Sequence, residues 1–446
     1  MNRRNFIEKA AVAGSSLLFM PAYTRANFSG DDLKPALLGG TKAHPGGFVN
    51  WPVYNATEEK ALIDTLRTGN WGRLGGKTTA TFEAEYAKLL GVKKTLGVAS
   101  GTSALYTMLG VLGIGPGDEV IIPPYTFVAT YNVVVLNYAL PIFVDTDIET
   151  FQIDAKKIEA AITKQTKALI PVHLGGTPFD LDAVLSIGQK YKIPVIEDAC
   201  QAHLGEWRGK KLGGWGLGGA FSFQASKNLN CAEGGAISTN DEAFWQDCYN
   251  FHNQGQGGTS SSYGTGSGTR GVNMRITEFQ SHILLAQMTR LEQQTKERYA
   301  NALYLTEMLN DIPGISPGKF YEGTTCSAFH LYMFRYDAAQ FDGLSRDKFV
   351  KALSAEGIPS STGYGKMNIS PYVTGLAKNP YFLKVYGEQT MQAWLERNLC
   401  PQNDKLTEQA IWFTQNMLLG SKDSMEQIAD AIRKIKKHAK ELQNIS

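Results

Sequence analysis

From about residue 94 onward the chain alternates short apolar runs with amphipathic stretches, and this alternation limits the possible folds more than any other feature. TLGVAS (95–100), EVIIPPYTF, LPIFVDTD, ALIPVHLGG and IPVIEDA are the apolar runs; SALYTMLGVLG and FDLDAVLSIGQKYK are helical in pattern. Runs that are apolar throughout belong to strands buried on both faces, so the alternation predicts an α/β fold with a largely parallel sheet covered by helices. Leu105, Met108, Leu109 and Leu112 share one helical face. TEEKALIDTLRTG, from Thr57, has acids in its first turn and Gly69 just past its end, the charge and capping order of a helix. Near the C-terminus Met425, Ile428, Ile432 and Ile435 define a closing amphipathic helix. In open sheets of this kind ligands bind beyond the carboxyl ends of the strands.

Charge and cysteine usage exclude several classes. The 446 residues carry 44 basic and 42 acidic side chains, a formal net charge of +2. No global field invites nucleic acid or anionic lipid. Cys200, Cys231, Cys248, Cys326 and Cys400 are scattered without C-x-x-C spacing and read as mostly buried thiols. His173 and His203 belong to no metal-ligand cluster, and no metal site is expected. At the N-terminus Arg3 and Arg4 precede Phe6 and Ile7, an apolar run from Ala10 to Met20, and Thr24-Arg25-Ala26. Residues 1–26 resemble a twin-arginine export signal. The apolar run is about half of the roughly 20 residues that span a bilayer. The expectation is an exported or periplasmic protein, soluble or anchored by its signal, with the twin-arginine translocase as a partner during export.

Reactive side chains sit where the sheet rule places ligands. IPVIED ends on Glu197 and Asp198, delivering a carboxylate to the sheet edge. By itself a strand-end aspartate also serves as an N-cap. ASGTSAL offers Gly101, Thr102 and Ser103 at a strand-to-helix turn, where free amides and the helix dipole favour a phosphate. FSFQASKNLNCAEGGA places Ser222 and then Lys227 after a strand-like run, and its glycine pair permits close backbone approach. An arbitrary lysine is a solvated surface residue. A carboxylate, then a hydroxyl, then an amine, downstream of a glycine-containing phosphate turn, however, form the set that holds pyridoxal 5′-phosphate.

Several separated motifs then agree. DTDIETFQID, PVHLGGTPFDLDAV, VIEDACQAHLGEWRGKKLGGWG, FSFQASKNL and EGGAISTND follow in the order of the DegT/DnrJ/EryC1/StrS aminotransferases, and the resemblance covers residues 36 to 440. It implies the fold-type I, aspartate aminotransferase-like architecture: a mostly parallel seven-stranded sheet in a large cofactor domain with an N-terminal arm (35–295), and a smaller C-terminal α+β domain (296–446). It also implies a homodimer with shared active sites. Carried over by motif, Lys227 resembles the Schiff-base lysine, Asp198 the partner of the pyridinium nitrogen, and Ser222, Thr102 and Ser103 the phosphate ligands. Gln201 matches the residue beside the cofactor ring and its phenolic oxygen, and Phe127 in PPYTFVAT the stacking ring. Asn273 in GVNMRITEFQ matches the asparagine that reaches the neighbouring subunit's phosphate.

The implied reaction moves an amino group from glutamate or glutamine to a keto sugar or keto cyclitol. Elimination by a dehydratase or lyase on the same cofactor, and non-catalytic cofactor binding by a regulator, stay as alternatives. The acceptor side departs from sugar-nucleotide relatives: STGYGKMNISPYV lacks the histidines of their HY-P-L-H-like element, leaving Tyr364 and Lys366 to face the substrate or solvent. LLGGTKAHPGGFVNWPVYN and AIWFTQNMLLGSKDSMEQIADAIRKI resemble the inosose and aminohydroxybenzoate branches, which favours a ketose or cyclitol without a nucleotide. TSSSYGTGSGTRG (259–271) reads as a flexible loop, either a lid toward the neighbouring active site or simple disorder.

Overall fold

The computed structural model describes residues 34–256 and 270–445. The export-signal reading (1–26) and nearly all of segment 259–271 fall outside the described residues.

Helix α1 (Ala56–Thr68) starts at a capping box: the Asn55 side chain accepts from the Thr57 amide, and Glu58 returns to the Asn55 amide at 2.9 Å. Gly69, at φ 68°, ends it in the left-handed conformation that its lack of a Cβ permits. The sheet strands are β1 (Lys94–Val98), β2 (Glu119–Ile122), β3 (Leu140–Phe143), β4 (Thr166–Leu169), β5 (Ile196–Asp198), β6 (Gly218–Ser222) and β7 (Gly235–Thr239). One ladder runs β1-β7-β6-β5 and another β3-β2-β4. Parallel bridges Leu169–Val195 and Val172–Asp198 join them. The result is a seven-stranded sheet in which only β7 runs antiparallel to its neighbours. Strands β2, β3, β6 and β7 are buried at every position, the reason their sequences do not alternate.

Two helices begin beside the carboxyl ends of these strands. In α2 (Gly101–Val111) the Ser100 side chain accepts from the Ser103 amide at 3.0 Å, and Leu105, Met108 and Leu109 are fully buried. Helix α3 (Ala129–Leu136) follows the PPYTF segment.

The 33-residue helix α4 (Glu278–Asn310) spans both lobes. Its Leu284 and Leu291 pack in the first core, and Ala302, Leu305 and Leu309 in a second. The second core also holds an antiparallel sheet of β8 (Ile315–Pro317), β9 (Leu331–Tyr336) and β10 (Ala410–Thr414). Helix α5 (Lys422–Lys437) closes it with Met425, Ile428, Ile432 and Ile435 all fully buried.

Packing crosses the boundary expected at residue 296 in both directions. Met367, Val373, Phe382, Met391 and Trp394 belong to the first core, and Trp394 Nε1 donates to the Pro141 carbonyl at 2.6 Å. Leu37, Leu38 and Phe48 of the N-terminal arm pack on the second core. The Ala36 and Ala43 amides donate to Glu356 at 2.7 and 2.8 Å, and Lys434 pairs with the same carboxylate at 2.9 Å.

Candidate active site

Strand β5 ends on two acids with opposite assignments, because successive side chains leave a strand on opposite faces. Glu197 points into the core, where it accepts from the Gly213, Trp215 and Gly216 amides at 2.7–2.8 Å and meets His173 Nε2 at 3.0 Å. Burial alone would raise its pKa; the His173 contact and the amides outweigh this and hold it below the ordinary glutamate range. His173 stacks on Phe179 at 4.3 Å, so it is a structural imidazole.

Asp198 turns toward the strand ends. Thr130 Oγ1, in the first turn of α3, donates to Oδ2 at 2.9 Å, and the Cys200 amide donates to Oδ1 at 3.2 Å. The residues that follow form turns, so the carboxylate caps no helix.

Lys227 lies on the loop between β6 and β7, its amide donating to the Gln224 carbonyl at 2.8 Å. Burial holds its amine below the ordinary lysine range; Cys200 and Asp198 are close enough to oppose that lowering. The amine and the strand-end carboxylate, separated in sequence, therefore lie near one another. Cys200 was read only as a buried thiol, yet it stands in this site. Burial, then Asp198, push its thiol well above the usual range.

The turn read as a phosphate site abuts the same residues. A Cβ on Gly101 would lie 2.6 Å from Cys200 Sγ and 2.9 Å from Ser222 Cβ, so only glycine lets α2 begin this close to β5 and β6. Gly235 likewise leaves no room for a side chain against the Ser100 backbone, the close approach expected of the glycine pair. Thr102 is exposed and Ser103 half-buried at the helix start. Phe127 is 57% exposed, a ring presented outward rather than packed in the core.

Gln201 is fixed at both ends: its Oε1 accepts from the Gly175 amide at 2.7 Å and its Nε2 donates to the Tyr364 hydroxyl at 3.1 Å. Tyr364 packs edge-on to Tyr125 and Trp412 at 5.6 and 4.5 Å. Burial pushes its hydroxyl up to about 12. Tyr364 thus belongs to the site, whereas Lys366 points to Glu408 at 2.6 Å on the surface. His203 donates from Nε2 to the Ser222 carbonyl at 2.8 Å and accepts from Tyr86 at 3.0 Å. Burial, with smaller effects from Lys227 and Arg298, lowers its pKa to about 3. It supports the strand that carries Ser222. Asn273 is exposed, with Oδ1 3.4 Å from the Arg275 amide.

Sequence reasoning missed Thr130 and His330. Thr130 stands one helical turn after Phe127 in PYTFVAT, a spacing that places both at one helix start. His330 meets Asn228, next to Lys227, at 3.2 Å; it comes from the bend just before β9, and no local pattern signals it. Among the described residues no group of acidic, histidine or cysteine side chains forms a metal site.

An aldehyde-bearing phosphate cofactor fits this donor set. One amine, one pinned carboxylate, an outward aromatic ring and a helix start cleared by Gly101 converge. Comparison with known proteins agrees. Residues 53–412 match the model of the DegT/DnrJ/EryC1/StrS aminotransferase family. The chain is 32% identical over 405 residues to the L-glutamine:2-deoxy-scyllo-inosose aminotransferase of Streptomyces kanamyceticus, covering 87% of this chain and 94% of that protein. The crystal structure of 3-amino-5-hydroxybenzoic acid synthase superposes with a TM-score of 0.76 at 30% identity, covering 86% of this chain and 98% of that one. S. venezuelae DesV, solved in complex with a ketimine intermediate, gives 0.73 at 29% identity, covering 86% and 94%. With this motif order, this sheet and this site, the chain belongs to the DegT/DnrJ/EryC1/StrS family and is an aminotransferase.

Proposed function

We propose that this aminotransferase carries pyridoxal 5′-phosphate on Lys227 and moves an amino group from glutamine or glutamate to a keto cyclitol or keto sugar without a nucleotide. The observation that carries the reading is the Lys227 amine, held below its ordinary range, beside the pinned carboxylate of Asp198. When bound, the cofactor supplies an electron sink for the carbon that loses its proton. Asp198, held by Thr130 and the Cys200 amide, would by its charge favour a proton on the heterocycle nitrogen. Ser222 and the Gly101–Ser103 turn would supply donors to the phosphate, Phe127 would offer its ring face, and Gln201 would lie beside the phenolic oxygen. Lys227, whose burial lowers its amine from the ordinary lysine range and so favours the neutral form, would act as the base at the donor's Cα.

For the acceptor, Tyr364, Tyr125 and Trp412 supply aromatic faces edged by hydroxyl and indole groups, a surface suited to a polyol ring. The donor reading draws on the relative named for L-glutamine and scyllo-inosose.

The working unit is a homodimer. Leu62, Ile63, Leu66, Trp71 and Leu74 expose apolar surface on and just after α1, and Asn273, exposed beside Val272, reaches the partner's phosphate. Residues 1–26 direct twin-arginine export to the periplasm, a reading supported by Arg3-Arg4 and the apolar run alone. No helix among the described residues is long and apolar enough to cross a membrane.

The test is a two-stage incubation of the purified enzyme. Glutamine converts the bound cofactor to pyridoxamine phosphate, and a keto cyclitol such as scyllo-inosose restores the starting spectrum. Loss of water from the acceptor without that conversion would replace amino transfer by elimination.

A further inference from the structure

The loop that carries Lys227 closes on itself, with Ala225 donating to Ala232 and Cys231 to Phe223, both at 2.9 Å. Segments remote in sequence hold it on either side of the lysine. Trp51, half-buried in the N-terminal arm, donates from Nε1 to the Ala225 carbonyl at 3.0 Å. On the other side Asn228 donates to the Ala328 carbonyl at 2.7 Å and accepts from His330 at 3.2 Å.

Behind Trp51 stands Arg298, from the middle of α4. Its guanidinium lies 5.2 Å from the Trp51 ring, and its Nε donates to Gln415 Oε1 at 2.8 Å. Arg298 is fully buried, yet neither terminal nitrogen has a hydrogen-bond partner among the described residues. Burial without an anion is costly, and stacking on an indole offsets only part of that cost. The charge nevertheless persists: burial lowers the guanidinium to about 9, still above neutral pH. The arm is tied from two more points. Asn416, next to Gln415, donates to the Val49 carbonyl at 2.7 Å, and Gln287 of α4 donates to the Val53 carbonyl at 2.9 Å.

We infer that Trp51 and Arg298 form a strut that positions Lys227, linking the turn at Gln415–Asn416 of the smaller lobe through α4 and the N-terminal arm to the carbonyl at Ala225. The inference rests on the reading of Lys227 as the reacting amine. It assigns neither residue a contact with substrate; both act through the loop. Displacement of the 415–416 turn moves Trp51, and with it the backbone from which Lys227 projects.

The test uses Trp51→Phe, which keeps a ring under Arg298 and removes the indole N–H, and Arg298→Lys, which keeps the charge and removes the planar stack. In the cofactor-free chain, amide hydrogen exchange across residues 223–232 accelerates up to about tenfold in Trp51→Phe, the scale of one lost hydrogen bond. In the holoenzyme, the pH midpoint of the visible absorption of lysine-bound cofactor moves by about half a unit or more. The groups facing Lys227 (Asp198, Cys200, His203 and His330) are unaltered, so the displacement reports the loop. With glutamine, kcat falls while KM stays within about twofold, since no donor contact is removed. Arg298→Lys gives the same changes in smaller measure. Exchange, midpoint and kcat all at wild-type values in folded Trp51→Phe overturn the strut; if that variant does not fold, the same null result in Arg298→Lys overturns it. A wild-type protein that never forms a lysine-bound visible band would defeat the functional reading instead, and the exchange measurement would still decide the strut.

Discussion

The Thr130 hydroxyl donates a 2.9 Å hydrogen bond to Asp198 Oδ2, and both side chains are buried. Helix α3 thereby fixes the orientation of the carboxylate assigned to the cofactor's ring nitrogen. Thr130→Val removes a bond to a charged acceptor, worth about 1.5–3 kcal/mol. Pyridoxal phosphate affinity is expected to fall at least about tenfold, read by titrating the cofactor-free chain, with Thr130→Ser restoring most of it. Unchanged affinity in Thr130→Val would remove Thr130 from the site.

Gly101 makes a sharper steric prediction. A methyl group there meets Cys200 Sγ and Ser222 Cβ at once, so Gly101→Ala displaces the start of α2 at a cost of about 1–3 kcal/mol. Cofactor affinity drops accordingly, and adding Cys200→Ala recovers part of the loss. Strictly additive effects of the two substitutions in a titration would show that they do not share this contact.

Asp198 stands out in the sequence as the polar end of an apolar strand segment, Lys227 as an amine in the loop after another such segment, and Gly101 as the glycine of a strand-to-helix turn. The extent of α1 was legible from its acids and Gly69. What adjacency hid was the split between Glu197 and Asp198, since strand alternation sends one into the core and the other to the site. Arg298, Trp51 and His330 come from a helix, an arm and the bend before β9, which meet only in the folded chain, and no local pattern joins them. The same holds for Trp394 packing under β3 and for the arm's attachment to Glu356. Both are products of tertiary packing, not of periodicity.

His203 sets an acid limit on stability. Its folded-state pKa is about 3 against an ordinary 6.5, so only the unfolded chain takes up a proton as pH falls below about 6.5. The imidazole is neutral in both states above that pH, and the stability difference is progressively lost between 6.5 and 3. At pH 5 this amounts to about 2 kcal/mol for one such histidine. Denaturant unfolding at pH 7 and pH 5 is expected to show the fall, and His203→Gln to reduce it, the buried His252 and His330 supplying the rest; equal slopes with pH in the two proteins would contradict the assignment.

The apolar face on α1 predicts assembly. Leu66→Glu places a charge on half-exposed surface within one chain but inside the proposed interface, so it shifts a dimer toward monomer in light scattering while leaving secondary structure intact. A monomeric wild-type protein at micromolar concentration would contradict the shared-site reading of Asn273.

The most direct measurement concerns Lys227 itself. Reconstituted with pyridoxal phosphate and reduced with borohydride, the wild-type chain is expected to carry the cofactor covalently on the peptide containing Lys227, identified by mass spectrometry, and Lys227→Ala is expected to carry none and to transfer no amino group from glutamine. Attachment at another lysine, or normal turnover by Lys227→Ala, would contradict the account.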